Sequence, residues 1–126
     1  MTQHLKFGKS LRLLNAADYT AVFNDVTWKA SSKELLCLSQ ENGLNHPRIG
    51  LVIAKKNIRH AVQRNRVKRI IRESFRLRQH QLPAIDMIIL ARAGLGELCN
   101  TELSLEINKL LDRLLKKIEQ HTRNTG

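Results

Sequence analysis

Acidic residues are scarce in this chain. Its 126 residues hold 11 Asp and Glu against 22 Lys and Arg, a formal net charge of +11. That is a poor supply for a protein-held two-metal centre, which needs several convergent carboxylates. Cysteine is limited to Cys37 and Cys99, far apart and with no partner at metal-ligand spacing, so two reduced, partly buried thiols are expected rather than a disulfide framework or a zinc site. The five histidines, His4, His46, His60, His80 and His121, are scattered, none at i, i+4 from a carboxylate or a second histidine. Neither a metal site nor an acid–base pair is signalled. No Gly-rich phosphate loop or Gly-x-Ser-x-Gly elbow is present, and Gly94-Leu95-Gly96 reads as a turn. Long apolar runs are missing too: the longest, residues 49–54, is far too short to span a bilayer, and the N-terminal stretch lacks a signal-peptide core. A cytoplasmic protein without a membrane partner is expected.

What is present is enough to fold. Apolar residues make up 42% and charged residues 26%, so Leu, Ile and Val suffice to offset ordering entropy. The length fits a single domain, 1–126, with flexible ends expected at 1–12 and 121–126. A pI near 10.4 favours a polyanionic partner. The charge is concentrated: residues 55–78 hold ten of the 22 Lys and Arg and a single acid, Glu73, and so carry +9 of the +11.

Local patterning predicts a helix over residues 16–23, capped by Asn15, and strands over 26–30 and 34–40 joined by a Ser31-Ser32 turn. Leu35-Leu36-Cys37-Leu38 is continuous rather than alternating, which fits a hairpin with both faces partly covered. Turn residues at 41–47 precede a buried strand at 49–54, and residues 87–91 are a fourth strand. Leu103, Ile107, Leu110, Leu111, Leu114, Leu115 and Ile118 recur at three and four and define a terminal helix, with Thr101 as its expected cap. Together these give an α/β (α+β two-layer) fold of order α-β-β-β-α-β-α.

At 100° per residue the basic segment becomes two-sided. Val67, Ile70, Ile71 and Ser74 cluster on one side with Phe75 at its margin, and Asn65, Lys68, Arg69, Arg72 and Arg76 cluster on the other. Ile58 and Val62 would fall on the polar side of an unbroken helix, so the regular helix is expected to begin near Ala61 and to end near Arg78. A row of guanidinium groups repels itself unless something anionic sits against it. Arginine offers phosphate a planar, bidentate fork, and Asn65 can both donate and accept beside it.

The stretch RIGLVIAKKNIRHAVQRNRVKRIIRESFR, residues 48–76, resembles the signature of the bacterial ribonuclease P protein subunit, centred on Arg64-Asn65-Arg66, Lys68-Arg69 and Arg72. The resemblance extends to the Leu13-Leu14-Asn15 helix start, the strand ending at Arg92 and the terminal helix. It implies a four-stranded sheet packed with about three helices, with a left-handed crossover. It also implies a chain that binds a catalytic RNA and the 5' leader of precursor tRNA, promoting endonucleolytic removal of the leader, with the chemistry and the Mg2+ held mainly by the RNA subunit. On this resemblance Lys55, Lys56, Arg59, Arg64, Asn65, Arg66, Lys68, Arg69, Arg72 and Arg76 fall on the RNA-subunit contact, and Tyr19, Phe23 and Arg92 on the leader contact. Spacing alone reads Tyr19 and Phe23 as packing of an amphipathic helix; stacking on bases is the other reading. Two departures stand out: Arg59-His60 occupies a place where many relatives have Gly, and Arg92-Ala93 replaces a commoner basic pair. The alternative function is a non-catalytic RNA-binding module of ribosome-associated or architectural type. A DNA-binding role is not expected, because a strand rather than a helix precedes the basic helix.

Overall fold

A computed structural model describes residues 8–125 of the chain. The elements run α1 (Ala16–Asn24), β1 (Trp28–Ser31), β2 (Leu35–Glu41), β3 (Arg48–Val52), α2 (Ala61–Arg78), β4 (Ile85–Ala91) and α3 (Asn100–Thr125), with short 3-10 turns at Lys9–Leu11 and Leu95–Glu97. The predicted order of helices and strands is the observed one. The sheet order is β1-β2-β4-β3, with β1–β2 and β2–β4 antiparallel and β3–β4 parallel. Parallel neighbours need a long connection, and here α2 is that connection. Of the ends expected to be flexible, residues 1–7 and 126 lie outside the described residues. Leu11 is buried, Arg12 bridges Ile49, and α3 continues to Thr125.

Local chemistry explains the element boundaries. The Asn15 side chain accepts from the Asp18 amide at 3.0 Å and caps α1, meeting one of the helix's orphan donors. β3 ends before residue 54 because the chain turns there, with the Asn57 and Ile58 amides both donating to the Ala54 carbonyl. Thr101 is not the cap of α3. The helix starts one residue earlier, at Asn100; the Cys99 carbonyl accepts from the Leu103 amide, while Glu102 Oε1 accepts from the Cys99 amide at 3.1 Å. A Glu reaching back to the cap's own N–H is the reciprocal half of a capping box, and it leaves Thr101 inside the first turn.

The sheet separates two apolar layers. On one face Leu35 and Cys37 of β2, Met87 and Ile89 of β4 and Ile49 of β3 pack with Val67, Ile71 and Phe75 of α2 and Leu103, Ile107, Leu110, Leu111 and Leu114 of α3. Burial there desolvates the Cys37 thiol and pushes its pKa up to about 12. On the other face Leu13, Val22 and Ile88 form a smaller cluster flanked by Tyr19, Leu38, Val52 and Leu90. The nine residues of α1 span only ~14 Å, whereas the seven-residue strands β2 and β4 run ~24 Å. Part of this face therefore stays uncovered.

A largely buried ion pair ties β3 to β4 at one end of the sheet. Arg48 Nε and Nη2 donate to Asp86 Oδ1 and Oδ2 at 2.8 and 2.6 Å, and Asn42 Nδ2 donates to Asp86 Oδ1 at 3.0 Å. Asp86 is 3% exposed, so losing any partner would leave a charge desolvated. Both sheet edges are occupied. Arg113 donates to the Ser31 carbonyl at 2.7 Å and Lys117 to that of Lys29 along β1. Along β3 the Leu13 amide donates to the Ile49 carbonyl, and the Leu51 amide donates to Tyr19 Oη at 3.3 Å. Open strand edges invite pairing with other chains; these contacts block it.

Candidate nucleic-acid interface

The underside of α2 anchors it to the core, buried at Val67, Ile71, Ser74 and Phe75 and partly buried at Ile70. Val67, Ile71 and Phe75 are 0% exposed and Ser74 is 5% exposed, as the periodicity predicted. Val62, which the same periodicity placed away from the core, is 78% exposed, and Ile58, just before the helix, is buried. The outer side presents a shallow groove of about 360 Å³ lined by Asn65, Lys68, Arg69, Arg72, Glu73 and Arg76. Lys68, Arg69 and Arg72 have no hydrogen-bond or ion-pair partner among the described residues. Arg76 differs. Its Nε donates to Glu73 Oε2 at 3.0 Å, a bond that lowers the Glu73 pKa and raises that of Arg76.

The remaining arginines of α2 turn inward. Arg64 Nη1 donates to the carbonyls of Ile58 and Arg59 at 3.1 and 2.8 Å, closing the turn that leads into the helix. Arg66 reaches Gln63, Asn100 and the carbonyls of Gly96 and Leu98. Arg78 donates from Nη1 to the Asn108 carbonyl at 3.1 Å and from Nη2 to Asp112 Oδ1 at 2.5 Å. Lys55, Lys56 and Arg59 are exposed in the turn between β3 and α2. No non-glycine residue among those described has a positive φ, and His60 at the helix cap sits at φ −93°. The Arg59-His60 departure therefore needs no glycine.

A second groove, of about 320 Å³, opens on the sheet face that α1 leaves bare. Leu36, Val52, Leu90 and Ala91 supply apolar walls, and Lys56, Asn57 and Arg92 stand beside them. Asn57 Nδ2 donates to the Ala91 carbonyl at 2.8 Å, and Arg92 Nη1 to the Ser32 carbonyl at 2.9 Å. Of the expected leader contacts, Arg92 is in this groove, and Tyr19 and Phe23 are not among its lining. Tyr19 lies partly buried against Gly50, where a Cβ would come within 2.7 Å of the ring, and its Oη accepts from β3. Phe23 is 45% exposed on α1. The walls Leu36, Val52 and Leu90 were not singled out from the sequence. Their signal was the unbroken apolar run at 35–38, which gave β2 a second apolar face.

A flat apolar strip flanked by cations on one face of the sheet, and an unneutralised cationic row on a helix packed against the other, both suit a ligand with alternating flat bases and phosphates. The Ribonuclease P family model matches residues 7–115. The chain belongs to the ribonuclease P protein family. Within that family it is 54% identical over 110 residues to the ribonuclease P protein component of Pseudomonas aeruginosa, covering 87% of this chain and 82% of that one. It is 52% identical over 116 residues to that of Saccharophagus degradans, covering 92% and 86%. Among solved structures, the RNase P protein of Staphylococcus aureus superposes with a TM-score of 0.74 at 25% identity, covering 87% of this chain and 96% of that one. That of Thermotoga maritima gives 0.70 at 26%, covering 83% and 96%. The shared fold puts the ribonuclease P signature on β3, the turn after it and α2.

Proposed function

We propose that this chain is the protein subunit of ribonuclease P, docking its catalytic RNA through the outer row of α2 and holding the single-stranded 5' leader of precursor tRNA in the open groove. The observation that carries the reading is the row Lys68, Arg69 and Arg72, which has no partner among the described residues and stands on a helix packed into the core through Val67, Ile71 and Phe75. Cations without internal partners keep their donors for phosphate oxygens, and a rigid base lowers the entropy cost of aligning them. Asn65 in the same row can meet a 2'-hydroxyl or a base edge. In the groove, Leu36, Val52 and Leu90 offer flat apolar contact to bases without selecting a sequence, while Lys56 and Arg92 face the phosphates. Phe23, exposed on α1 but outside the lining of the groove, is a further ring on which a base could stack.

Among the described residues no group of three or more His, Cys, Asp or Glu converges. The Mg2+ of the reaction is assigned to RNA phosphates. The protein's part is electrostatic and geometric: its cations offset repulsion between two RNAs, so affinity for precursor tRNA rises when the RNA subunit is already bound. The test is to add the protein to a cognate RNA subunit at low magnesium and measure precursor tRNA cleavage. Stimulation that Arg69→Ala/Arg72→Ala removes supports the proposal. Equal stimulation by that variant contradicts it, and tight RNA binding with no stimulation favours an architectural RNA-binding module instead.

A further inference from the structure

Arg66 lies in the motif assigned to RNA contact, yet its guanidinium points into the chain. Nε donates to Gln63 Oε1 at 2.8 Å, Nη1 to Asn100 Oδ1 at 2.7 Å, and Nη2 to the carbonyls of Gly96 and Leu98 at 3.0 and 2.9 Å. A guanidinium has five N–H donors, so a single one is left. The two carbonyls belong to the turn that delivers the chain into α3. That turn is tightly seated: a Cβ at Gly96 would lie 3.0 Å from Ile58 Cγ2, and Ile58 is 4% exposed. A cation beside the N-terminus of α3 opposes the helix dipole. Charge is therefore not what this place asks of Arg66; a planar fork that reaches several acceptors on another element is.

We infer that Arg66 is a positioning residue, which fixes the pose of Asn65, Lys68 and Arg69 by tying α2 to the turn before α3 and does not itself engage phosphate. The inference rests on the reading that this row faces RNA. Lysine at position 66 keeps the charge but has one nitrogen, which cannot span acceptors on Gly96, Leu98 and Asn100 together. Arg69, three residues on, is exposed and has no such partners.

The test is the salt dependence of affinity for the cognate RNA subunit, measured well below the Tm of every variant so that each is folded. Arg66→Lys and Asn100→Ala should each weaken binding about tenfold at all salt concentrations while leaving the slope of log Kd against log salt unchanged. Arg69→Ala should reduce that slope by about 0.7, the value for one lost phosphate contact to a single strand. A lower slope for Arg66→Ala together with wild-type affinity for Arg66→Lys would overturn the inference and make Arg66 a direct contact. A lower Tm for Arg66→Lys with affinity and slope both unchanged would also overturn it, leaving Arg66 a stabilising residue only. Asn100→Ala keeps the test readable if Arg66→Ala does not fold. An unchanged slope for Arg69→Ala would instead refute the RNA-facing reading of the row.

Discussion

The ends of α2 and its middle carry the same kind of side chain in opposite senses. At the N-terminal end Arg64 and Arg66 donate to backbone carbonyls and to Asn100, and at the C-terminal end Arg78 donates to Asn108 and Asp112 of α3. In between, Lys68, Arg69 and Arg72 have no partner among the described residues. What separates the two groups is not the residue type but what lies within reach. The turn before α3 and the first part of α3 come up against the two ends of α2, and among the described residues nothing bonds to the cations in the middle of its outer side. A basic run on a helix can thus be part clamp and part binding surface, and only the second part should respond to salt.

That division can be broken from underneath. Phe75→Ala removes a ring that is 0% exposed beneath the binding row, and should cost about 3–5 kcal/mol. Thermal unfolding would read this as a large fall in Tm, and RNA affinity should fall with it even though every cation is kept. The clamp comes next in size. Arg78→Ala loses bonds to Asn108 and to an exposed Asp112, and should cost about 1–2 kcal/mol, a Tm drop of roughly 5 °C, with the salt slope of RNA binding unaltered. A slope that falls with Arg78→Ala would erase the distinction between ends and middle.

Smaller effects sharpen the comparison. Glu73→Gln removes the one acid of the basic segment, and RNA affinity should rise by a fewfold at low salt with little gain at high salt. A titration of the RNA complex with salt would detect this. Smallest is the contrast between the thiols. At neutral pH a thiol reagent should label exposed Cys99 and spare buried Cys37 until the protein unfolds. Because burial raises the Cys37 pKa from 9.0 to about 12, its contribution to stability is fully present below about pH 9. It is lost as pH rises toward 12, since the unfolded chain releases that proton first. Rapid labelling of both thiols in the folded protein would contradict the packing of β2.

Much of this was legible in sequence. The helix underside of Val67, Ile71 and Phe75, the start of α2 at Ala61 and the stripe of α3 follow from a 3.6-residue period, which depends only on neighbours along the chain. The sheet order β1-β2-β4-β3 does not, because β4 is placed between β2 and β3 by pairing across long separations. The inward turn of Arg66 was hidden for the same reason: its acceptors on Gly96, Leu98 and Asn100 arrive 30 or more residues later. Spacing gave Tyr19 as packing of α1 and the resemblance gave it as a leader contact; the chain's topology, which neither contains, brings its hydroxyl to β3, where it accepts from the Leu51 amide. The cap of α3 was misplaced because Cys99 is not a residue type that propensity favours there; the carboxylate of Glu102 supplies the missing acceptor.

The central claim is that the free middle of α2 binds RNA phosphates, and its most direct test is the slope of log Kd against log salt for the cognate RNA subunit, wild type against Lys68→Ala/Arg69→Ala/Arg72→Ala. The account predicts a wild-type slope of magnitude near 4 if about six phosphates are engaged, and a fall of about 2 in the triple variant, with Tm unchanged. The same slope in both proteins would contradict it.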